Sequence, residues 1–240
     1  MNRWHLLALA VAGLSFGGWV GCGQPVTPVN TGGSGDSTTP AAREAMPEDA
    51  GTPLPEGRWT ITFPDIPKNM VSFISTAEER IAGTAMFAGD QGQVHGSITV
   101  DVAAGTASGG SFLVPVKGLR TGNELRDEHL RSADWLHEEA HANIVLRDIT
   151  AERVTGKNTL WRLRGTMEIK GTAKPFETVA NIRFYESFPM LGDNVVRAYA
   201  AFPIRIKEFG ISNQAVGTPM VSDLWNVEIA VFGFATPATE

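Results

Sequence analysis

The sequence predicts an all-β domain, either an antiparallel barrel or a sandwich, and three observations support this prediction. Apolar and polar residues alternate with a period of two along several stretches, which is typical of strands with one buried face and one wet face. Eleven of the 12 Phe and four of the six Trp lie from Arg58 onward. The 240 residues are 42% hydrophobic and 19% charged, which excludes a fully disordered chain, a coiled coil and a polytopic membrane protein.

Ten stretches are candidate strands, so we expect a barrel or sandwich of eight to ten strands. In the first stretch, Trp59, Ile61 and Phe63 share one face, and Arg58, Thr60 and Thr62 share the other. The clear stretches are 58–63, 94–102, 161–170, 196–207 and 225–231, and the weaker ones are 70–75, 81–88, 111–117, 142–149 and 176–186.

One segment, Thr121–Glu139, breaks this period because it is polar and rich in helix-forming residues. Thr121 and Asn123 are candidate N-caps. The sequence therefore predicts a short helix, broken near Ser132, in a connection between two strands.

The N-terminus has the pattern of a secretory signal. Arg3 and His5 precede the apolar run Leu6–Phe16, which small residues follow. The run is shorter than the ~20 residues that span a bilayer. We therefore expect residues 1–21 to be a signal peptide that is removed on export.

The single cysteine, Cys22, ends this small-residue stretch. Val20-Gly21-Cys22 resembles the lipobox of bacterial lipoproteins, although Trp19 stands where an aliphatic residue is usual. The resemblance implies acylation of Cys22 and anchoring at the periplasmic face of a membrane. Gly23 in place of Asp after the cysteine favours the outer membrane over the inner one. Ordinary cleavage that leaves a free thiol is the alternative.

A tether is expected next. Residues 23–56 contain 18 Gly, Pro, Ser or Thr among 34, and such a composition buries too little apolar surface to fold. The predicted organisation is a signal peptide over 1–21, a lipidated Cys22 with a disordered tether over 22–56, the folded domain over 57–236 and a tail over 237–240.

Several function classes are excluded by absences in the sequence. The formal net charge is −6 and no Lys/Arg-rich run occurs, so a nucleic-acid partner is not expected. The sequence contains no dinucleotide-binding fingerprint, phosphate-binding loop or Gly-x-Ser-x-Gly elbow. One Cys excludes an intramolecular disulfide framework.

One motif does suggest metal chemistry. His137-Glu138-Glu139-Ala140-His141 matches the His-Glu-x-x-His pattern, in which a helix presents both His side chains to Zn²⁺ and the Glu acts as general base. The strand-like stretch that begins at Ala142 argues against a firm helix here. We therefore predict no metal site and no catalytic residue, and keep a zinc-dependent hydrolase as the least favoured alternative.

The same helix carries a family resemblance. Residues 121–136 (TGNELRDEHLRSADWL) resemble the Thr-Gly…Arg-Asp-x-His-Leu/Met-x-Ser-x-Asp-Phe-Leu pattern of the YceI-like family of exported bacterial lipid-binding proteins. Residues 165–175 (GTMEIKGTAKP) and 202–211 (FPIRIKEFGI) resemble two further segments of that family, in the same order. The match covers about residues 57–235, and it departs from the family where His141-Ala142 replace an aromatic residue and Pro.

The resemblance implies a lipocalin-like antiparallel β-barrel of about eight strands, with one short helix near its mouth. It also implies a non-catalytic, membrane-anchored protein that holds a long isoprenoid-type or isoprenoid-quinone-like lipid in the barrel, with no other cofactor. The protein partner is unknown. The residues expected to contact the lipid are Phe73, Phe87, Ile98, Val100, Phe112, Val114, Arg126, His129, Trp161, Leu163, Met167, Ile169, Phe184, Phe202 and Ile204.

Besides a lipid-binding protein and a zinc-dependent hydrolase, the sequence leaves a third function open. The same alternation would be produced by a β-domain with a filled core that serves as a surface interaction or adhesion module.

Arg126 and Asp127 are neighbours on a helix and so do not face each other. We expect each to have a separate partner in the backbone or a loop. We expect Arg205 to meet a carboxylate at the barrel mouth.

Overall fold

The computed structural model describes residues 47–66, 69–77, 80–87 and 94–239, and the side chains of residues 76, 77 and 80–87 are not described. The described residues form eleven strands and one α-helix. A 3₁₀ turn precedes β6, and a second one follows β10. The elements are β1 (Arg58–Phe63), β2 (Met70–Ala77), β3 (Arg80–Phe87), β4 (His95–Asp101), β5 (Thr106–Pro115), β6 (Leu119–Arg120), α1 (Glu124–Arg131), β7 (Asn143–Arg153), β8 (Leu160–Ile169), β9 (Thr172–Phe188), β10 (Gly192–Arg205) and β11 (Leu224–Pro237).

Eight of these strands close into an antiparallel barrel. They hydrogen-bond in the order β1, β4, β5, β7, β8, β9, β10 and β11, and β11 pairs back with β1. The predicted barrel is therefore confirmed, and the sandwich alternative is not. All ten candidate stretches overlap observed strands, because each carries the alternation that one buried face requires.

Strand β11 closes the barrel against two strands in succession. Phe234–Pro237 of β11 pair with Trp59–Thr62 of β1, and Trp225–Ala230 pair with Met70–Ser75 of β2. Strand β2 also pairs with β3, and β3 pairs with the short β6. At the end of the barrel that contains β2 and α1, which we call the mouth, the wall is therefore continued by β2, β3 and β6.

The barrel bends where side chains are absent. Strand β5 shifts register against β7 around Gly110, and a Cβ at this position would lie 2.7 Å from the Cβ of Ile149. Glycine therefore permits the close approach of β5 and β7. The sequence prediction began this strand only at residue 111, because its first half is rich in Gly and Ser and lacks an apolar stripe.

The inner faces of the strands form one apolar core. Ile61, Val100, Ile149, Val196 and Val231 are each 1% exposed or less. The outer face of β7, β8 and β9 carries charged ladders instead, in which Glu177 accepts hydrogen bonds from Arg162 at 2.6 Å and Arg164 at 2.7 Å. These two arginines hold the pKa of Glu177 below its ordinary value, chiefly through the bond from Arg164.

The helix α1 lies where the sequence predicts it, but it is shorter. Asn123 is its N-cap and accepts a hydrogen bond from the backbone N–H of Arg126 at 3.0 Å. It ends at Arg131, and Ser132 is the C-cap. The residues from Ala133 to Ala140 form turns rather than a second helical segment.

A strap, which we define as residues 48–54, packs on the barrel even though its sequence predicts a tether. Asp49 Oδ1 accepts hydrogen bonds from Thr159 N at 2.9 Å and Thr159 Oγ1 at 2.8 Å. The Asn181 amide donates to the carbonyl of Glu48, and Leu54 is only 5% exposed. The sequence did not predict these contacts, because the composition of residues 23–56 indicated too little apolar surface to fold. Residues 22–46 of the predicted tether and all of the predicted signal peptide lie outside the described residues.

Two further features hold the strap. The hydrogen bonds from Thr159, the backbone one above all, keep the pKa of the Asp49 carboxyl below its ordinary value, so its ionised form stabilises the contact at neutral pH. Gly51 has φ +98°, and a Cβ there would lie 2.7 Å from Cδ of Arg183. A glycine at this position lets the strap cross the Arg183 side chain.

Leu54→Ala tests whether the strap contributes to stability. Truncating a buried leucine removes apolar contacts and leaves a cavity, so we expect a loss of ~2–5 kcal/mol in the free energy of unfolding. The control is Thr52→Ala, because Thr52 is exposed and bonds to Phe184 only through its backbone carbonyl. We expect that control to change stability by less than ~0.5 kcal/mol in a urea titration. Equal stability of the two variants would contradict a structural role for the strap.

Candidate functional site: an apolar channel behind the barrel mouth

The inward side chains leave a cavity of about 70 Å³ in the middle of the barrel. Its walls are apolar except for Thr178 and Tyr199. Burial raises the pKa of Tyr199 above its ordinary value, and the charge of Glu228 raises it further. Small residues make the space, since alanines from β5, β7, β9 and β10 face it. These are Ala107, Ala151, Ala180, Ala198 and Ala200.

A second inner cavity of about 50 Å³ lies nearer the mouth and is lined only by apolar residues. Leu146, Phe202 and Ile229 line both inner cavities and form the partition between them. These three residues are apolar, so the two cavities adjoin across an apolar partition, and we call the two cavities together with this partition the channel. This channel has no donor or acceptor that would fix a polar ligand at that point.

A third cavity, the mouth cavity, has a volume of about 350 Å³ and lies between α1, β2 and the chain before β11. It differs from the inner cavities because it combines apolar and polar side chains. Two exposed hydrophobic residues form part of its wall: Leu125 is 62% exposed and Met220 is 73% exposed. The full lining is Phe73, Ser75, Thr121, Asn123, Leu125, Arg126, His129, Leu130, Trp135, Met220, Val221 and Trp225.

An aromatic stack separates the mouth cavity from the inner channel. The rings of Phe73 and Trp225 stack with centroids 4.1 Å apart and planes 12° apart, and both residues line the cavities on either side. Trp135 stacks on the outer side of Trp225 at 6.3 Å. The indole N–H of Trp225 donates to the Ser222 carbonyl at 2.9 Å. A molecule that passes from the mouth to the interior must displace Phe73 or Trp225.

The position of α1 at the mouth is fixed by Thr121. The buried Asp127 carboxylate accepts hydrogen bonds from Thr121 N at 2.6 Å and Thr121 Oγ1 at 2.5 Å. Arg126 Nη2 donates to the Thr121 carbonyl at 2.9 Å. As expected, Arg126 and Asp127 do not pair with each other.

Arg205, on β10, also meets the expected carboxylate, since its Nη1 lies 3.5 Å from Oδ2 of Asp223.

Most of the residues predicted to contact a ligand line these cavities, although contact with a ligand remains a prediction. Phe184 is the exception, because it is 5% exposed but lines none of the three cavities. The side chain of Phe87 is not described. Phe73 lies in the aromatic stack, between the inner cavity nearer the mouth and the mouth cavity. Arg126 and His129 line the mouth cavity. The inner cavities are lined by Ile98, Val100, Phe112, Val114, Trp161, Leu163, Met167, Ile169, Phe202 and Ile204.

Sequence reasoning missed Ser75, Trp135 and Trp225 as site residues. Trp225 lies on a predicted apolar stripe, and its large side chain could have indicated a residue that separates the channel from the mouth. Ser75 carried no such signal, because a serine within a strand is usually on the wet face. Its place at the mouth follows from the pairing of Ser75 with Trp225 across β2 and β11.

The zinc-like motif does not form a helical metal site. His137 has φ +54°, and residues 138–140 form a turn, so the two His side chains are not presented by one helix. Glu138 pairs with Arg131 at 3.4 Å, and the ring of His141 packs against Gly171. Within the described ranges, no group of three or more His, Cys, Asp or Glu is arranged to hold a metal ion. No described helix is both long and apolar enough to cross a membrane.

Comparison with solved structures finds the same fold in other bacterial proteins. BcnA of Burkholderia cenocepacia superposes with a TM-score of 0.56 at 13% identity, covering 69% of this chain and 96% of BcnA. A polyisoprenoid binding domain from Saccharophagus degradans, implicated in plant cell wall breakdown, superposes with a TM-score of 0.53 at 14% identity. That match covers 74% of this chain and 98% of the domain.

Among curated proteins, no sequence relative of this chain is found. A family model for the YceI-like domain, however, matches residues 68–232, which include the mouth cavity, α1 and most of the barrel. This match covers more than half of the chain and agrees with the resemblance seen in residues 121–136. The chain therefore belongs to the YceI-like family.

Proposed function

We propose that this protein is a binding protein without catalytic activity that holds an isoprenoid-type lipid. The tail lies in the barrel and the head stays at the mouth. The observation that carries this proposal is the apolar channel, whose two inner cavities are separated from the mouth cavity by the stack of Phe73 on Trp225. A branched hydrocarbon tail needs such a lining and makes no demand for polar partners. The polyisoprenoid binding domain from Saccharophagus degradans, which shares this fold, adds support.

A long tail requires the interior to expand. An apolar cavity of ~150 Å³ takes benzene, a molecule close in size to one isoprene unit. The inner cavities, at about 70 and 50 Å³, are each smaller than that. Entry of the tail therefore displaces side chains such as Met167 and Phe202. The gain comes from apolar surface removed from water, at ~25 cal/mol per Å², less the cost of ordering the tail.

Native mass spectrometry of the protein isolated from a bacterial periplasm tests this function. A lipid-sized mass excess, lost on solvent extraction and identified in the extract, is the expected result. A bare mass that persists after incubation with prenyl lipids would contradict the proposal. That outcome would favour an interaction module with a filled core, which has no use for a channel.

We also propose that the mature protein is exported and anchored at the periplasmic face of a membrane, preferably the outer one, through an acylated Cys22. The apolar run before Val20-Gly21-Cys22 and the single cysteine support this proposal. Two or more acyl chains give a stable anchor, because each buried CH₂ contributes ~0.8 kcal/mol.

Ala200→Leu tests whether the inner cavity receives the tail. Ala200 is 6% exposed and faces the 70 Å³ cavity, so a larger side chain there takes space from the ligand. We expect prenyl-lipid affinity to fall about tenfold or more, since two CH₂ groups left in water cost ~1.6 kcal/mol. Isothermal titration with a prenyl alcohol gives the affinity, and thermal unfolding checks that the variant is folded.

The matched control for this test is Ala201→Leu. Ala201 is the next residue of β10, so its side chain points to the opposite face of the sheet, and it lines none of the cavities. This variant should bind as the unmodified protein does. An equal loss of affinity in both variants would show that the tail does not enter the cavity next to Ala200.

Cys22→Ser tests the anchor. In a bacterial host the unmodified protein should sediment with membranes, and the variant should appear in the soluble fraction because it lacks the acylated thiol. Thr27→Ala, in the predicted tether, is the control and should sediment like the unmodified protein. Identical fractionation of the cysteine variant and the control would rule out acylation as the means of anchoring.

A further inference from the structure

The hydroxyl of Ser75 is an unusual group in the wall of the mouth cavity. Ser75 is 2% exposed, and its Oγ has no hydrogen-bond partner among the described residues. Two other buried side-chain nitrogens, on Arg131 and Arg153, share this condition, but neither residue lines the cavity. A buried hydroxyl without a partner is costly, so such groups are rare in folded proteins. The oxygen is shielded from water in this structure, so a ligand in the cavity can supply the missing partner once the neighbouring side chains shift.

The position of Ser75 suits a ligand head rather than a tail. Ser75 pairs with Trp225 across β2 and β11, directly beside the stack of Phe73 on Trp225 that closes the inner channel. A tail that passes this stack enters apolar surroundings, whereas the part left behind lies against Ser75. The hydroxyl therefore faces the point at which a lipid changes from tail to head.

The charges around the mouth cavity limit what the head can be. Among the described side chains that line the cavity, Arg126 is the one with a full charge, and one of its nitrogens already donates to the Thr121 carbonyl. The other titratable lining residue is His129. The neighbouring carboxylates on α1, of Glu124, Asp127 and Glu128, oppose an anion.

A diphosphate head would bring several negative charges to a single guanidinium group. Charges that are taken out of water without partners are costly, because the lost hydration is not repaid. An uncharged oxygen avoids this cost and still accepts the hydrogen bond that Ser75 offers.

We infer that Ser75 is a specificity-determining residue of the mouth cavity, where it donates a hydrogen bond to an uncharged oxygen, a carbonyl or hydroxyl, at the head of the bound lipid. The cavity accordingly prefers such a head over a diphosphate on the same tail. This inference rests on the proposed lipid-binding function and adds the chemistry of the head to it.

The test compares the full chain with Ser75→Ala, using three probes that share one tail: farnesol, farnesyl diphosphate and the headless hydrocarbon farnesene. Tryptophan fluorescence reports binding, because Trp135 and Trp225 line the mouth cavity. The unmodified protein should bind farnesol more tightly than farnesyl diphosphate. The variant should bind farnesol ~3–10-fold more weakly, as loss of one hydrogen bond predicts, and bind farnesene unchanged.

The control is Ser72→Ala, on the same strand. Ser72 is buried but lies on the other face of β2 and lines none of the described cavities. It should leave the affinity for farnesol unchanged. Thermal unfolding without ligand gives a second readout: Ser75→Ala should not lower the melting temperature, since the hydroxyl it removes has no internal partner.

Four outcomes would overturn the inference. Farnesol binding that is unchanged in Ser75→Ala, or tighter binding of the diphosphate by the unmodified protein, would overturn it while leaving lipid binding intact. A lower melting temperature for Ser75→Ala would show that the hydroxyl is already engaged in the free protein. Failure of the unmodified protein to bind any of the three probes would overturn the proposed function and this inference together.

Discussion

Closure of the sheet through β11 is the constraint on which the rest of the structure depends. This strand pairs with β10 along its length, with β1 at its C-terminal end and with β2 at its N-terminal half. Closure removes the exposed strand edges of a sheet and encloses its inner face, so that every inward residue must be apolar or find a partner. The core of valine, isoleucine and phenylalanine follows from that requirement, and so does the cost of a lone hydroxyl.

Strand β11 pairs with β1 at its C-terminal end and with β2 in its N-terminal half, and this change of partner also creates the mouth. It places Phe73 against Trp225, and this stack divides a roomy, mixed cavity from a narrow, apolar channel. The helix α1 adds the outer wall, and the pairing of buried Asp127 with Thr121 holds it there. The same contacts that complete the fold therefore decide where a head and a tail can lie.

The strap and the zinc-like motif show how local composition misleads in opposite directions. The strap has the composition of a flexible tether, but its Asp49 carboxylate bonds to Thr159 just before β8, and its Glu48 carbonyl bonds to Asn181 of β9. Residues 137–141 match a catalytic pattern, but they form a turn in which Glu138 pairs with Arg131. In both cases a few specific contacts outweigh the average character of the segment. The channel and the family match over residues 68–232, rather than short motifs, accordingly support a binding protein.

The strands could be predicted from sequence alone, because alternation with a period of two is a local property that burial of one face imposes. The helix and its two candidate caps, Thr121 and Asn123, could be predicted for the same reason, since a cap acts within one turn, and the structure shows that Asn123 is the cap. The residues of the family pattern were also sufficient to identify the family. The register of β2 on β11, the location of the stack and the isolation of Ser75 could be read only from the folded chain. These depend on pairings between residues about 150 positions apart, such as Ser75 with Trp225, and no local pattern encodes which partner a strand meets.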